Sequence, residues 1–475
     1  MTCSHSFKFV SASLLALVLL LNPSAAWAHG VQGRADTPIP VEAFLAVAAA
    51  VLVVSFVGLA FGWSKPRLVT YGWKRAPRAI EAIALSPITL WVFRILVLVL
   101  FLLVFFAAAF GSTVLGSNIA PLTVFVIWWI GLVPITAVFG NVWREINPWI
   151  TIAQLLGLNK TKDPRRLPTW LGVWPAAAVI FVFAWLELVY PTPAEPRLIA
   201  IIIASYTVFT LWGIKRYGAD AWLDSAEGFS VYTSLLSLLA PVEMRNGQLG
   251  FRLPFIAATR MKVRPGVVAF ISVLIATVTY DGLSTSPFWK VRDVAASERL
   301  IDLGLNDFQA GVLIGTFGLV GSLVVFVLAF EFFAWASGRL ANWGYTSVGR
   351  VASTFAHSLI PIAMAYFVAH YFTLFVFQSQ DIVRLASDPF GFGWDLFGTR
   401  ESRIDFQSVS AEAIWAVQVI AIVVGHVVGL AYAHDRALEI GRTHKEALKS
   451  QIPMLILMVM LTVAGLWSLS AGMSG

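Results

Sequence analysis

Long unbroken apolar runs constrain this chain more than any other feature. They fall at 41–63, 88–110, 119–139, 170–190, 197–214, 265–280, 308–336, 350–377, 411–433 and 453–471. A helix needs ~20 such residues to cross a bilayer, so each run reads as a candidate span. The rest of the composition agrees. Charged residues make up 12% and mean hydropathy is +0.79; a soluble domain carries roughly twice that charge. A soluble enzyme, a disordered chain and a disulfide scaffold are excluded. An outer-membrane barrel is excluded too, because its strands would show as short alternating segments. The expected fold is all-α: a polytopic helical membrane protein of about ten transmembrane helices.

Residues 1–28 read as a secretory signal peptide. Lys8 supplies the positive region, Phe9 to Leu21 the short apolar core, and Ala26-Trp27-Ala28 an A-x-A cleavage signal. The mature chain, 29–475, is then one integral-membrane helical domain that starts at His29. The single cysteine, Cys3, leaves with the signal, which removes disulfides and thiolate chemistry from consideration.

Charge placement sets the orientation. With the mature N-terminus outside the cytoplasm, 23 of the 33 Lys and Arg fall in the inner loops, beside ten acids. The outer segments hold eight bases and fourteen acids. This is the positive-inside pattern of a bacterial inner-membrane protein. The basic clusters, Lys74-Arg75-Arg78 among them, therefore read as lipid contacts and topology signals, and nucleic acid is not an expected partner. The stretches 141–158 and 219–241 read as interfacial helices. The segments 281–307 and 378–410 read as long outer loops able to cap a cavity.

Ionisable groups inside spans are costly, and each is a functional candidate. Glu331, His357 and His426 should share a layer ~10 Å in from the inner surface, counting ~1.5 Å per residue along each helix. Two histidines and a carboxylate suit a divalent metal ion, with open positions for water. The competing outer layer holds His370, Glu187 and Tyr280-Asp281. Tyr366 and His370 lie four apart on one helical face. An aspartate near a histidine can orient the imidazole as a base for water. His29, with its free amine, is a further metal-ligand candidate. Pro361 should kink the span between His357 and His370. Arg94 should snorkel or pair with a carbonyl. His434-Asp435-Arg436 should be a solvated helix end in an inner loop. The catalytic assignment favours the outer layer, with His370 as base or ligand, Asp281 orienting it, and Tyr280 or Glu187 in support.

Several segments are similar to one family when taken together: His29–Pro40, Asn141–Trp149, Tyr280–Trp289, Phe355–Tyr371 and Gly425–Ala437. Their order and the ten-span layout resemble the membrane-integrated fenitrothion hydrolases, bacterial organophosphorus hydrolases made with a signal peptide. The resemblance implies cleavage of the P–O–aryl bond of an organophosphorus triester, with release of a nitrophenol. It carries no catalytic residues over. Such a substrate is apolar and would arrive from the lipid phase.

Two other functions use the same groups. A transporter or metal-handling permease would relay protons or ions through the buried His and Glu. A b-type haem protein could ligate haem through His357 and His426. No ATP-binding loop is present, which argues against a primary pump.

Overall fold

The computed structural model describes residues 41–68, 72–114, 116–158, 164–343 and 348–473. The signal segment and His29 lie outside them. The fold is all-α, with nine helices among the described residues long and apolar enough to cross a membrane. The tenth expected span is the exception. Its helix, Trp174–Leu188, has 15 residues, about 22 Å at the α-helical rise and short of a ~30 Å hydrocarbon core.

The helices used below are α1 (Val41–Gly62), α2 (Pro87–Phe110), α3 (Trp174–Leu188), α4 (Pro196–Tyr217), α5 (Gly228–Leu236), α6 (Val267–Thr285), α7 (Pro287–Asp302), α8 (Asp307–Leu340), α9 (Leu359–Gln378), α10 (Ala411–Ile440) and α11 (His444–Met473). Where the sequence reads as one helical domain, the chain sorts into two compact units. Unit 1 comprises residues 1–70, 274–370 and 411–475; unit 2 comprises 71–273 and 371–410.

In unit 1, α11 packs against α10, α8 and α1. The segment read as an outer loop is helical instead. α6 runs on to Thr285, and α7 begins at once with Pro287 in its first turn and the Ser286 side chain accepting from Trp289 N. Proline there costs nothing, because the first-turn N–H groups have no intrahelical acceptor. None of α7 is buried, so it is a charged helix lying over the unit. α8 opens with a full capping box, Asn306 and Gln309 each satisfying the other's backbone N–H. Its 34 residues span about 51 Å, well beyond a hydrocarbon core.

The kink expected at Pro361 is realised as a break just before it. A helix, Val348–Phe355, gives way to a 3-10 turn at Ala356–Ser358, and α9 restarts at Leu359. Pro361 thus falls in the first turn of α9, and His357 lies in the turn itself.

The expected solvated end at 434–436 is overturned for His434 and Asp435, which are both buried. Asp435 accepts from Trp63 Nε1 (3.2 Å) and from the backbone N–H groups of Arg67 (2.6 Å) and Leu68 (3.1 Å). His434 places Nδ1 2.7 Å from Gln451 Oε1 and Nε2 2.8 Å from the Trp63 carbonyl. Gln451 donates its own amide to Ala447 O, which fixes Oε1 toward the ring. The cluster ties the segment after α1 to α10 and α11: Asp435 takes the Arg67 and Leu68 N–H groups, and the His434 ring meets the Trp63 carbonyl.

In unit 2, α4 packs against α2, and α5 against α3. Arg94 of α2 pairs with a carbonyl, donating to Glu145 O at 2.7 Å. A three-stranded antiparallel sheet, absent from the sequence reading, joins β1 (Trp73–Arg75), β2 (Val242–Arg245) and β3 (Gln248–Arg252) in the order β1-β3-β2. Asn246 and Gly247 link β2 to β3 with φ of 52° and 75°, the positive values that a two-residue hairpin turn with the right twist demands.

Candidate functional site

Unit 1 brings together the outer pair that the sequence singled out. His370 on α9 places Nε2 2.9 Å from Asp281 Oδ2 on α6. The side chains are 17% and 20% exposed. A carboxylate only accepts, so in this contact the ring nitrogen Nε2 donates to Asp281. The backbone behind His370 is held from α10: buried Gln418 donates to Ala369 O at 2.9 Å. Tyr280 is buried beside the pair in sequence, its ring edge-on to Trp289 with centroids 5.8 Å apart. Gly318 of α8 makes that packing feasible. A Cβ there would lie 2.5 Å from Tyr280 Cε2 and 2.6 Å from Trp289 Cη2.

Beside these residues unit 1 contains a cavity of about 780 Å³, within the ordinary range for a small-molecule site. Helices α6, α7, α8, α9, α10 and α11 line it with almost wholly apolar side chains, Phe317, Val325 and Met460 among them. Tyr366, one turn before His370 on α9, is part of its wall, as are Thr279 and Leu283, which flank Asp281 in sequence. His426 lines it too. Its Nδ1 is 2.8 Å from Ile422 O, so Nδ1 carries the hydrogen and Nε2 is a bare acceptor. That Nε2 is buried without a hydrogen-bond partner among the described residues.

The inner metal layer does not assemble. Among the described residues no three His, Cys, Asp or Glu side chains gather closely enough to hold a metal ion. Depth along a helix was legible in the sequence, but the direction a side chain faces was not. His357 stacks on Tyr432 at 5.8 Å between ring centroids, with its Nε2 partnerless, while His426 turns to the Ile422 carbonyl and the cavity wall. Glu331 is half-buried on α8. Glu187 belongs to unit 2, where it faces Tyr232 electrostatically, so its expected support for His370 has no basis within unit 1.

Unit 2 has a polar centre of its own around Glu227, a residue not singled out from the sequence. Its carboxylate is fully buried and caps α5, accepting from Phe229 N (3.1 Å) and Ser230 N (2.7 Å) and from the Ser230 and Tyr206 hydroxyls. Burial pushes the carboxyl above its usual range, against the pull of those hydrogen bonds. Its partner Tyr206 packs edge-on to Trp149 and Phe229, and Phe229 in turn contacts Trp128, Trp129 and Phe183. A capping carboxylate just before the apolar run from Phe229 was the available signal.

Compared with protein-family models, curated proteins and solved structures, the chain matches none.

Proposed function

We propose that the protein is a membrane-bound hydrolase of apolar organophosphorus triesters such as fenitrothion, admitted from the lipid phase to the cavity of unit 1. The observation that carries this reading is the His370–Asp281 pair at 2.9 Å, one helical turn from a wall residue of a large apolar cavity. An uncharged triester partitions into apolar surroundings, and its hydrolysis needs only an activated water. The His370 imidazole takes a proton from water as the water oxygen attacks phosphorus. The P–O–aryl bond breaks and the electron pair leaves on nitrophenolate. Asp281 holds the imidazole in orientation and opposes the charge it gains, the role of the carboxylate in any His-based relay. The proton passes to solvent through the exposed edge of the pair.

The partnerless Nε2 of His426 supports a second assignment, in which that nitrogen is the base inside the cavity. In either case we place the protein in the bacterial inner membrane with its mature N-terminus outside the cytoplasm, which keeps the basic loops inside. That orientation counts short α3 as a crossing; alkaline phosphatase fused after Gly475 is then active.

The deciding experiment follows nitrophenol release from fenitrothion by protein purified in detergent, with and without a chelator. His370→Ala is expected to lower turnover by ~10²-fold or more. Near wild-type turnover in a folded His370→Ala variant, with turnover abolished in His426→Ala, moves the chemistry to the cavity histidine. A wild-type protein that releases no nitrophenol overturns the hydrolase reading.

A further inference from the structure

We infer that the cavity of unit 1 also binds a single-chain amphiphile with an anionic head, a long-chain carboxylate, with its head on Arg299 and its chain in the apolar interior. This inference rests on the cavity and not on hydrolysis.

Among the described residues Arg299 is the only Lys or Arg that lines the cavity, and no Asp or Glu lines it. It sits on α7 at the exposed side, whereas His426 in the same wall is buried, so the space runs from a charged mouth to an apolar, buried floor. Among the described residues Arg299 has no ion pair or side-chain hydrogen bond, although Asp302 lies three residues on. An unpaired guanidinium beside an apolar hole is complementary to one anionic group attached to apolar bulk. The walls fit a chain. Phe317, Val325 and Met460 offer dispersion contacts, and the few hydroxyls, Thr279, Ser322 and Tyr366, come singly. The cavity is also kept open by composition. A Cβ built on Gly321, a wall residue of α8, would meet nothing within 4 Å. The first carbon of a larger side chain there enters open space.

Trp289 lines the same cavity, which gives the test its reporter. The full chain is placed in nanodiscs of neutral phosphatidylcholine and titrated with a bromine-bearing C18 carboxylate, whose bromine quenches a nearby indole. The Trp289 contribution is isolated as the difference between the protein and Trp289→Phe. Saturable quenching is expected, at least tenfold tighter for the acid than for its methyl ester. Arg299→Gln should remove that preference, Arg299→Lys should keep most of it, and Gly321→Leu should abolish saturable quenching by either compound. Equal quenching by acid and ester in the unaltered protein overturns the head-group assignment. Quenching that survives Gly321→Leu overturns the cavity assignment and reports lipid around the protein instead. Tighter binding of a single-chain phosphate monoester of the same length overturns the choice of carboxylate.

Discussion

The two units each bury a polar centre, and the two centres are finished differently. Around Glu227 in unit 2, both carboxylate oxygens have donors. In unit 1, His426 keeps a bare Nε2 beside a cavity, and the His370–Asp281 pair is part-exposed. A buried charge is therefore a poor marker of chemistry on its own. A carboxylate with its donors filled holds elements together; a nitrogen left without a partner next to open space, as Nε2 of His426 is, can still act on something. By this comparison Glu227 is a structural tie in unit 2, and unit 1 is where we propose the chemistry.

The largest test of that division is Glu227→Ala. It would leave the Phe229 and Ser230 amides and the Tyr206 hydroxyl unsatisfied in an aromatic interior. Leaving a buried donor unsatisfied costs about 1–3 kcal/mol, so the loss should be at least that large. Unfolding in detergent should show that loss, with turnover per folded molecule unchanged. A Glu227→Ala protein that stays as stable as the parent but stops hydrolysing would place chemistry in unit 2 and reverse the comparison.

Asp281→Asn is the matching test in unit 1, and it should behave in the opposite way. The pair is part-exposed, so stability should change by less than about 1 kcal/mol. Turnover should fall by ~10-fold or more, because the imidazole loses its orienting charge. A loss of stability with unchanged turnover would make the His370–Asp281 contact another structural tie, like His434 with Gln451.

The pair was legible in the sequence for a physical reason. Tyr366 and His370 share a helical face, and Asp281 lies at an outer span end, so both depth and direction were constrained. The inner layer failed because Glu331, His357 and His426 were matched by depth alone. The buried His434–Asp435 tie was hidden because its partners, Trp63 and Arg67, lie more than 360 residues away in sequence. Other features were readable and passed over. Asn246-Gly247 is a hairpin turn signal, and Ser286-Pro287 is a helix start inside what was taken for a loop. The spans themselves followed from hydropathy, except where α3 ends too soon.

The smallest effect separates two glycines one turn apart on α8. Gly318 and Gly321 both line the cavity, yet their surroundings differ. At Gly318 a methyl group would meet Tyr280 and Trp289 at 2.5 and 2.6 Å, and these are large rings, one of them buried, that cannot swing aside freely. Gly318→Ala should therefore cost about 1–3 kcal/mol, the usual range for overpacking, and should disturb the Tyr280–Trp289 contact beside Asp281. At Gly321 the same methyl meets nothing within 4 Å, and replacing glycine by alanine in a helix gains up to ~1 kcal/mol. Gly321→Ala should be as stable as the parent or slightly more so, while binding or turnover of a bulky triester falls a few-fold as the cavity narrows. Thermal unfolding of the two variants side by side reads the difference directly. Equal destabilisation at both positions would mean that α8 packs just as tightly at Gly321 as at Gly318, and the open space beside His426 that distinguishes unit 1 would be lost with it.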